Sequence, residues 1–167
     1  MSIKSQKANM KTIFSLVSQE LGFIYGEHES KPNGAKKQFH TKSAAFLRAL
    51  GNDLGLREFK VSKNYGGIAV SGEITLMGMW DDGNGLYFQI RQPLPPLNSF
   101  VYCGMNHMKD YSGSPNQWMD FDLFKNGDYE KILDMLLTLR KPTVKEVKED
   151  TAVTVEAETN AVNRHVA

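Results

Sequence analysis

The chain has 167 residues, of which 41% are hydrophobic, so it can enclose the core of one domain. Its formal net charge is only +1, from 20 basic and 19 acidic residues, which argues against a nucleic-acid mimic and against a strongly basic nucleic-acid binder. The charges are uneven, because residues 1–57 carry nine Lys or Arg against four acids, whereas the segment from Thr143 carries three against five.

The cysteine count and the apolar runs bear on the compartment. Cys103 is the only cysteine, which excludes an intramolecular disulfide and favours a reducing environment. The first eleven residues are polar and lack the apolar segment of a signal peptide. Because no apolar run approaches the length of a membrane span, we expect a cytoplasmic protein with no membrane contact.

Two helices are predicted in the N-terminal third. Apolar residues recur at helical spacing over residues 10–24. Residues 26–42 contain Pro32, Asn33-Gly34, four lysines and few apolar side chains, which predicts a basic loop. Ser43 is a suitable N-cap for a second helix, whose apolar side extends to Leu54.

Apolar residues alternate with polar ones from Phe59 onward, which is typical of half-buried strands. Glycine-rich turns at Tyr65–Gly67 and Asp81–Gly85 separate these strands. Prolines at 93, 95 and 96 interrupt the sheet, because proline has no N–H for a ladder. The predicted strands begin at Phe59 and continue as Ile68–Trp80, Leu86–Gln92 and Phe100–Met105.

The C-terminal part predicts one more helix and then a tail. An apolar stripe spans Asp128–Arg140, and Pro142 stops the helix. Residues 143–167 lack aromatics and glycine and predict disorder. The alternative is a strand at 152–155 that pairs only with a partner. The fold prediction is a single two-layer α+β domain over residues 1–142, with a four-stranded antiparallel meander covered by helices in the order helix-helix-strand-strand-strand-strand-helix.

Candidate catalytic and metal-binding groups are few. Cys103, His107 and Asp110 are close in sequence, but one Cys and one His do not complete a zinc site, and a structural Cys with a solvated His is the favoured interpretation. Asp81-Asp82 is interpreted as part of a hairpin turn rather than a cation loop. Asp120 and Asp122 are interpreted as helix-capping acids. We expect no cofactor and no metal.

Basic and aromatic residues give the remaining signal. Aromatics that stack on bases, with lysines along the phosphates, are typical of single-stranded nucleic-acid binding. The alternative is a solvated loop with ordinary aromatics at the sheet edge. The candidate binding residues are Lys31, Lys36, Lys37, Lys42, Tyr65, Trp80, Arg91, Tyr111 and Trp118.

Two segments carry a resemblance to a known group of proteins. VSKNYGGIAVSGEITL (Val61–Leu76) and KDYSG (Lys109–Gly113) resemble short α+β proteins of phages and other mobile elements, which have a GG-x-AVSG strand and a KDY-G loop. The resemblance covers roughly residues 45–120. It implies a mobile-element origin and carries no activity with it.

The sequence therefore favours a small non-enzymatic interaction protein, encoded by a phage and acting in the cytoplasm of the bacterial host. We expect it to bind a host or viral macromolecule, in the concrete case as an inhibitor of a host enzyme or defence system. The first alternative is a single-stranded nucleic-acid-binding protein that uses the basic loop and the sheet aromatics. The second is an enzyme centred on Cys103 and His107. The oligomeric state is left open.

Overall fold

A computed structural model of the protein places five strands in one antiparallel sheet, and their order in the sheet follows the chain. The structure describes residues 2–18, 34–65, 72–92, 98–108 and 114–140. In chain order, the elements are α1 (Ile3–Val17), α2 (Ala35–Asp53), β1 (Glu58–Asn64), β2 (Glu73–Met79), β3 (Gly85–Arg91), β4 (Ser99–Met105), β5 (Gln117–Asp120), α3 (Phe121–Asn126) and α4 (Tyr129–Leu137).

The alternation predicted from the sequence is confirmed in β2 and β3. Ile74 pairs with Ile90 and Leu76 pairs with Phe88, and all four side chains are fully buried. Thr75, which lies between Ile74 and Leu76 on β2, is only half-buried. Since successive side chains of a strand point to opposite faces, the sheet has an inner face in the core and an outer face on the other side.

The helices pack on the inner face. Gly51 of α2 lies against the ring of Phe59 on β1, and Gly78 of β2 lies against Leu56, which follows α2. On the same face, toward the β5 edge of the sheet, Phe100 of β4 contacts Phe124 of α3 with ring centroids 4.8 Å apart. The helix α1 contacts α2, α3 and α4. The result is the predicted two-layer α+β arrangement with an antiparallel sheet.

The four-strand prediction is wrong by one strand and one helix. The prediction omitted β5 and α3, and in the structure α3 begins directly after β5 ends at Asp120. The strand has only four residues, so its alternation is too short to stand out in the sequence. Asp120 caps α3, because its Oδ1 accepts from the Asp122 backbone N–H at 2.9 Å, and Asp122 lies in the first turn. The capping role predicted for these two acids is confirmed.

The basic loop predicted at 26–42 is wrong over residues 35–42, which are helical. The helix α2 starts at Ala35 after Gly34, and not at Ser43, which lies inside the helix and is fully buried. Residues 19–33 lie outside the described part of the chain. The helix begins immediately after Gly34, its N-cap residue, and carries polar residues on its buried side, among them Lys36 and His40.

The other boundaries shift by smaller amounts. The first helix begins at Ile3, capped by Ser2, rather than near residue 10. The second strand ends at Met79, one residue before its predicted end, and the predicted residues 68–71 lie outside the described residues, as does the predicted tail 143–167. The last helix is Tyr129–Leu137, shorter than predicted at its C-terminal end.

Candidate interaction surfaces

The binding residues predicted from the sequence do not form one surface. Two of the nine, Lys31 and Tyr111, lie outside the described residues. Two are buried and five are exposed, on separate elements. The buried pair is Lys36 and Trp80, and the exposed residues are Lys37 and Lys42 on α2, Tyr65 after β1, Arg91 at the end of β3 and Trp118 on β5.

Trp80 is a structural residue, which corrects its assignment as a stacking platform. Its side chain is 1% exposed, and its indole Nε1 donates to the backbone oxygen of Leu54 at 2.9 Å. The guanidinium of Arg140 lies 5.8 Å from the ring centroid. A ring held in this way cannot stack on a base, so Trp80 helps to join the sheet to the end of α2 instead.

Lys36 is 2% exposed and lies one helical turn before His40, which is 1% exposed. The His40 ring contacts the Tyr65 ring with centroids 4.7 Å apart. At the same end of the sheet, the Gln92 Nε2 donates to the Val17 carbonyl at 3.3 Å. Lys36, His40 and Gln92 form a buried polar corner, beside the exposed Tyr65, where the ends of α1, α2, β1 and β3 meet. A lysine in this position cannot contact a phosphate, which corrects its assignment as a binding residue.

Sequence reasoning missed the polar corner because it searched for apolar spacing. The signal was nevertheless present, since Lys36, His40 and Ser43 recur at the spacing of one helix face together with Phe39. A helix whose buried side carries polar groups does not show the usual hydrophobic pattern.

The candidate catalytic group is not assembled as a nucleophile with its base. Cys103 is fully buried on β4, and desolvation raises the pKa of its thiol. A thiol with a raised pKa stays protonated at neutral pH and is a poor nucleophile. His107 is exposed, two residues beyond the end of β4, and Asp110 lies outside the described residues. Among the described residues, no group of three His, Cys, Asp or Glu side chains is placed to hold a metal ion.

Asp82 belongs to a hairpin turn, as predicted. Its Oδ1 accepts from the Asn84 backbone N–H at 3.0 Å, and its Oδ2 accepts from the Arg140 Nε at 2.8 Å. These hydrogen bonds hold the pKa of the Asp82 carboxyl below its ordinary value, and the bond from the Asn84 backbone has the largest effect. The Arg140 contact also attaches the segment that follows the last helix to the β2–β3 turn.

A small cleft of about 220 Å³ opens beside this turn. It is bounded by Asn84, Gly104, Ser114, Gln117 and Thr138, among others. Its described lining contains amides and hydroxyls but no ionisable side chain. Such a cleft offers hydrogen bonds without acid–base chemistry.

The outer face of the sheet carries a row of larger side chains. Met77 on β2 pairs with Tyr87 on β3, and Tyr87 pairs with Cys103 on β4. In the next row, Val101 pairs with Trp118, which is 49% exposed. Val101, Cys103 and Met105 are buried but are not part of the main core, which lies on the other side of the sheet. The outer face thus carries apolar side chains on both sides of Gln89, which pairs with Thr75 and Val101.

The charged positions of the outer face are mixed in sign. The register places Lys60 and Arg91 there as cations. Three acids accompany them, namely Glu58, Glu73 and Asp120. The Gln89 side chain donates to the Glu73 carboxylate across the two strands. Because the two signs nearly balance, this face has no strong preference for anions or cations.

Within the described residues, no helix is both long and apolar enough to cross a bilayer. Comparison of the chain with protein-family models, with curated proteins and with solved structures finds no match in any of the three.

Proposed function

We propose that the protein is a non-enzymatic interaction protein that binds a partner protein through the outer face of its sheet. The observation that carries the proposal is the set of apolar outer-face side chains, with Met77 and Tyr87 paired across two strands and Trp118 exposed on the edge strand β5. Trp and Tyr are enriched among the residues that dominate binding energy at protein interfaces, and Met is enriched at such interfaces as well.

The charge pattern favours a protein over a nucleic acid as the partner of this face. A phosphate backbone would meet three carboxylates, at Glu58, Glu73 and Asp120, as well as the cations of Lys60 and Arg91. Repulsion would then offset attraction. A folded protein surface can match such a mixture with its own acids and bases.

The alternative of single-stranded nucleic-acid binding loses two residues of its proposed site. Lys36 and Trp80 are buried, whereas Lys37 and Lys42 lie on α2, in the helical layer on the other side of the sheet from Trp118. Stacking rings and phosphate-binding lysines need to line one groove to bind a single strand. Trp118 and the exposed lysines of α2 therefore do not line one groove.

The resemblance to mobile-element proteins supports a particular class of partner. On the mobile-element origin that the resemblance implies, a bacterial host enzyme or defence protein is the partner we propose, and inhibition is the proposed outcome. The protonated, buried thiol of Cys103 supports a function that does not depend on covalent catalysis.

The test is affinity capture from lysate of the bacterial host, with nuclease treatment, followed by measurement of the dissociation constant for the captured protein. We expect Trp118→Ala to weaken binding by about 30-fold or more, because exposed tryptophans are enriched among the residues that dominate binding energy at interfaces. The matched control is Ile3→Ala, because Ile3 is a similarly exposed apolar residue, at 52%, on the helical layer. Equal losses in the two variants, or capture that disappears with nuclease, would overturn the proposal.

A further inference from the structure

The strand β1 is the longer of the two edge strands of the sheet. The strand order places β1 at one edge and β5 at the other. The strand β5 has four residues and runs directly into α3, whereas β1 has seven. As far as the structure describes the chain, β1 pairs with β2 on one side and with no strand on the other. Its second side therefore presents backbone N–H and C=O groups that can pair with one more strand.

The inner side chains of β1 are covered less completely than those of the neighbouring strand. Phe59 and Val61 pack against the core but are only half-buried. On β2, the inner residues Ile74 and Leu76 are fully buried. Because β2 flanks Phe59 and Val61 on one side only, another strand along the free edge would remove further apolar surface from water, which is favourable.

The outer side chains of β1 carry opposite charges two residues apart. Glu58 and Lys60 are both exposed and alternate with the inner residues Phe59 and Val61, so they lie on the outer side of the strand. Glu58 forms an ion pair with Arg57 at 3.5 Å, and both side chains are more than half exposed. Since an exposed pair of this kind contributes little, Glu58 can exchange it for a better partner.

We propose that two copies of the chain pair through β1, antiparallel and related by a two-fold axis, so that their two sheets become one continuous sheet. When Phe59 of one copy lies opposite Phe59 of the second copy, Glu58 of each copy lies opposite Lys60 of the other. The two-fold axis repeats every contact, so two opposite-charge pairs flank one aromatic pair. Pairs of both kinds stabilise antiparallel strands when they face each other directly.

The charges of β1 favour this register over its neighbours. Strands that keep their inner residues on the same side of the sheet change register in steps of two residues. One step in one direction places Lys60 opposite Lys60, and one step in the other direction places Glu58 opposite Glu58, so like charges repel in both cases. Two steps in the first direction place Lys60 opposite Ser62, which forms no ion pair. The register centred on Phe59 is therefore the one that the charges support.

The proposed contact is small, so the dimer should be weak. Pairing of about five residues from each copy buries less than the roughly 1,600 Å² of a standard interface. We expect a dissociation constant on the order of 10–100 μM. Trp118 lies on β5, at the opposite edge of the sheet, and stays exposed in such a dimer. The dimer and the proposed partner protein can therefore form independently of each other.

The test is sedimentation equilibrium of the full chain over a concentration range of roughly 1–500 μM, which brackets the expected dissociation constant. Wild type should show a monomer–dimer equilibrium. Glu58→Lys and Lys60→Glu should each weaken the dimer by about tenfold or more, because like charges then face each other at both symmetry-related sites. An equimolar mixture of these two variants should restore dimerisation, since every acid of one chain then lies opposite a lysine of the other.

Matched controls make the same charge changes on the helical layer. Asp134→Lys on α4 and Lys125→Glu on α3 change exposed residues and should dimerise as wild type does. Circular dichroism melting checks that all four variants are folded. Trp118→Ala should leave the dimer unchanged while it weakens binding of the partner protein, so the dimer and the proposed function stand or fall on separate measurements.

Four results would overturn the proposal. Wild type that stays monomeric over the whole range would exclude the dimer. A dimer that Glu58→Lys does not weaken would have a different interface or register. A mixture of the two β1 variants that remains monomeric would contradict the pairing of Glu58 with Lys60. Equal weakening by the control variants would mean that net charge, and not this edge, governs association.

Discussion

The inner and outer faces of the sheet use neighbouring residues of the same strands for different purposes. On β2, Ile74 and Leu76 are fully buried against the helices, whereas Thr75 and Met77 are half-buried on the outer side. The main core includes the first pair and excludes the second. On this strand, the inner side chains therefore contribute more to stability than the outer ones, so Thr75 and Met77 can be replaced at smaller cost.

The largest expected effect is the loss of an inner-face side chain. Leu76→Ala should lower the free energy of unfolding by about 2–5 kcal/mol, because it removes buried methyl groups and leaves a cavity. Thr75→Ala, one residue away, should cost less than about 1 kcal/mol. Urea denaturation of both variants measures the difference. Equal costs would mean that the two faces are not distinguished as the register indicates.

A smaller loss of stability is expected from a substitution at Gly72, where the backbone conformation favours glycine. Gly72 has φ +75°, and a Cβ there would lie against the Asn64 carbonyl and 2.7 Å from the His40 Nε2. Gly72→Ala should therefore destabilise the protein by about 2 kcal/mol or more, from backbone strain and the clash together.

The matched control for Gly72 is Gly83, which has φ +82° in the β2–β3 turn and open space around its Cβ position. Gly83→Ala should cost only the backbone strain, about 1 kcal/mol. Thermal melting of the two variants separates strain from steric contact. A Gly83→Ala variant as unstable as Gly72→Ala would show that the polar corner tolerates the extra methyl group.

The smallest effect concerns the Asp82–Arg140 contact, which joins the helical layer to the turn of the sheet. The bonds from Asn84 and Arg140 lower the pKa of Asp82 from its ordinary 3.8. A carboxyl with a lowered folded-state pKa adds stability above the unfolded pKa, and this stability is lost as the pH falls through the folded pKa. Wild type should melt above Asp82→Asn at pH 7, and the gap should close below about pH 4.

Melting curves at pH 7, 5 and 3 check this prediction, with Asp81→Asn as the control. Asp81 is exposed, and within the described part of the chain its ion pair is a long one, with Arg57 at 3.9 Å. Its replacement should leave the melting temperature nearly unchanged at all three values. A gap between wild type and Asp82→Asn that is as large at pH 3 as at pH 7 would contradict the assignment of the stabilisation to the ionised carboxyl.

The sequence allowed most of the sheet to be predicted, because alternation in β2 and β3 directly reflects which side chains are buried. The same method failed for the first turns of α2, since Lys36, His40 and Ser43 are polar and yet buried. It also failed for β5, where four residues are too few to establish a period.

The sequence could not show which of the candidate binding residues are exposed. Trp118 and Trp80 are both tryptophans beside polar turns, but only tertiary packing against Leu54 buries the second. Similarly, Lys36 and Lys37 are adjacent, and the helix turns one inward and the other outward. The charge excess of the first 57 residues was visible, whereas its arrangement on two helices needed the fold.

The position of α1 in the helical layer has a consequence for how the chain folds during synthesis. Each strand of the sheet pairs with the next strand in the chain, so the sheet can grow as it is translated. The helix α1, however, also packs on α3 and α4, and Lys7 pairs with Glu130, 123 residues further on. At ~5–20 residues per second, this partner appears roughly 6 to 25 s later. A nascent chain therefore carries an incompletely covered first helix for most of its synthesis, which is the period when a chaperone would find its apolar side.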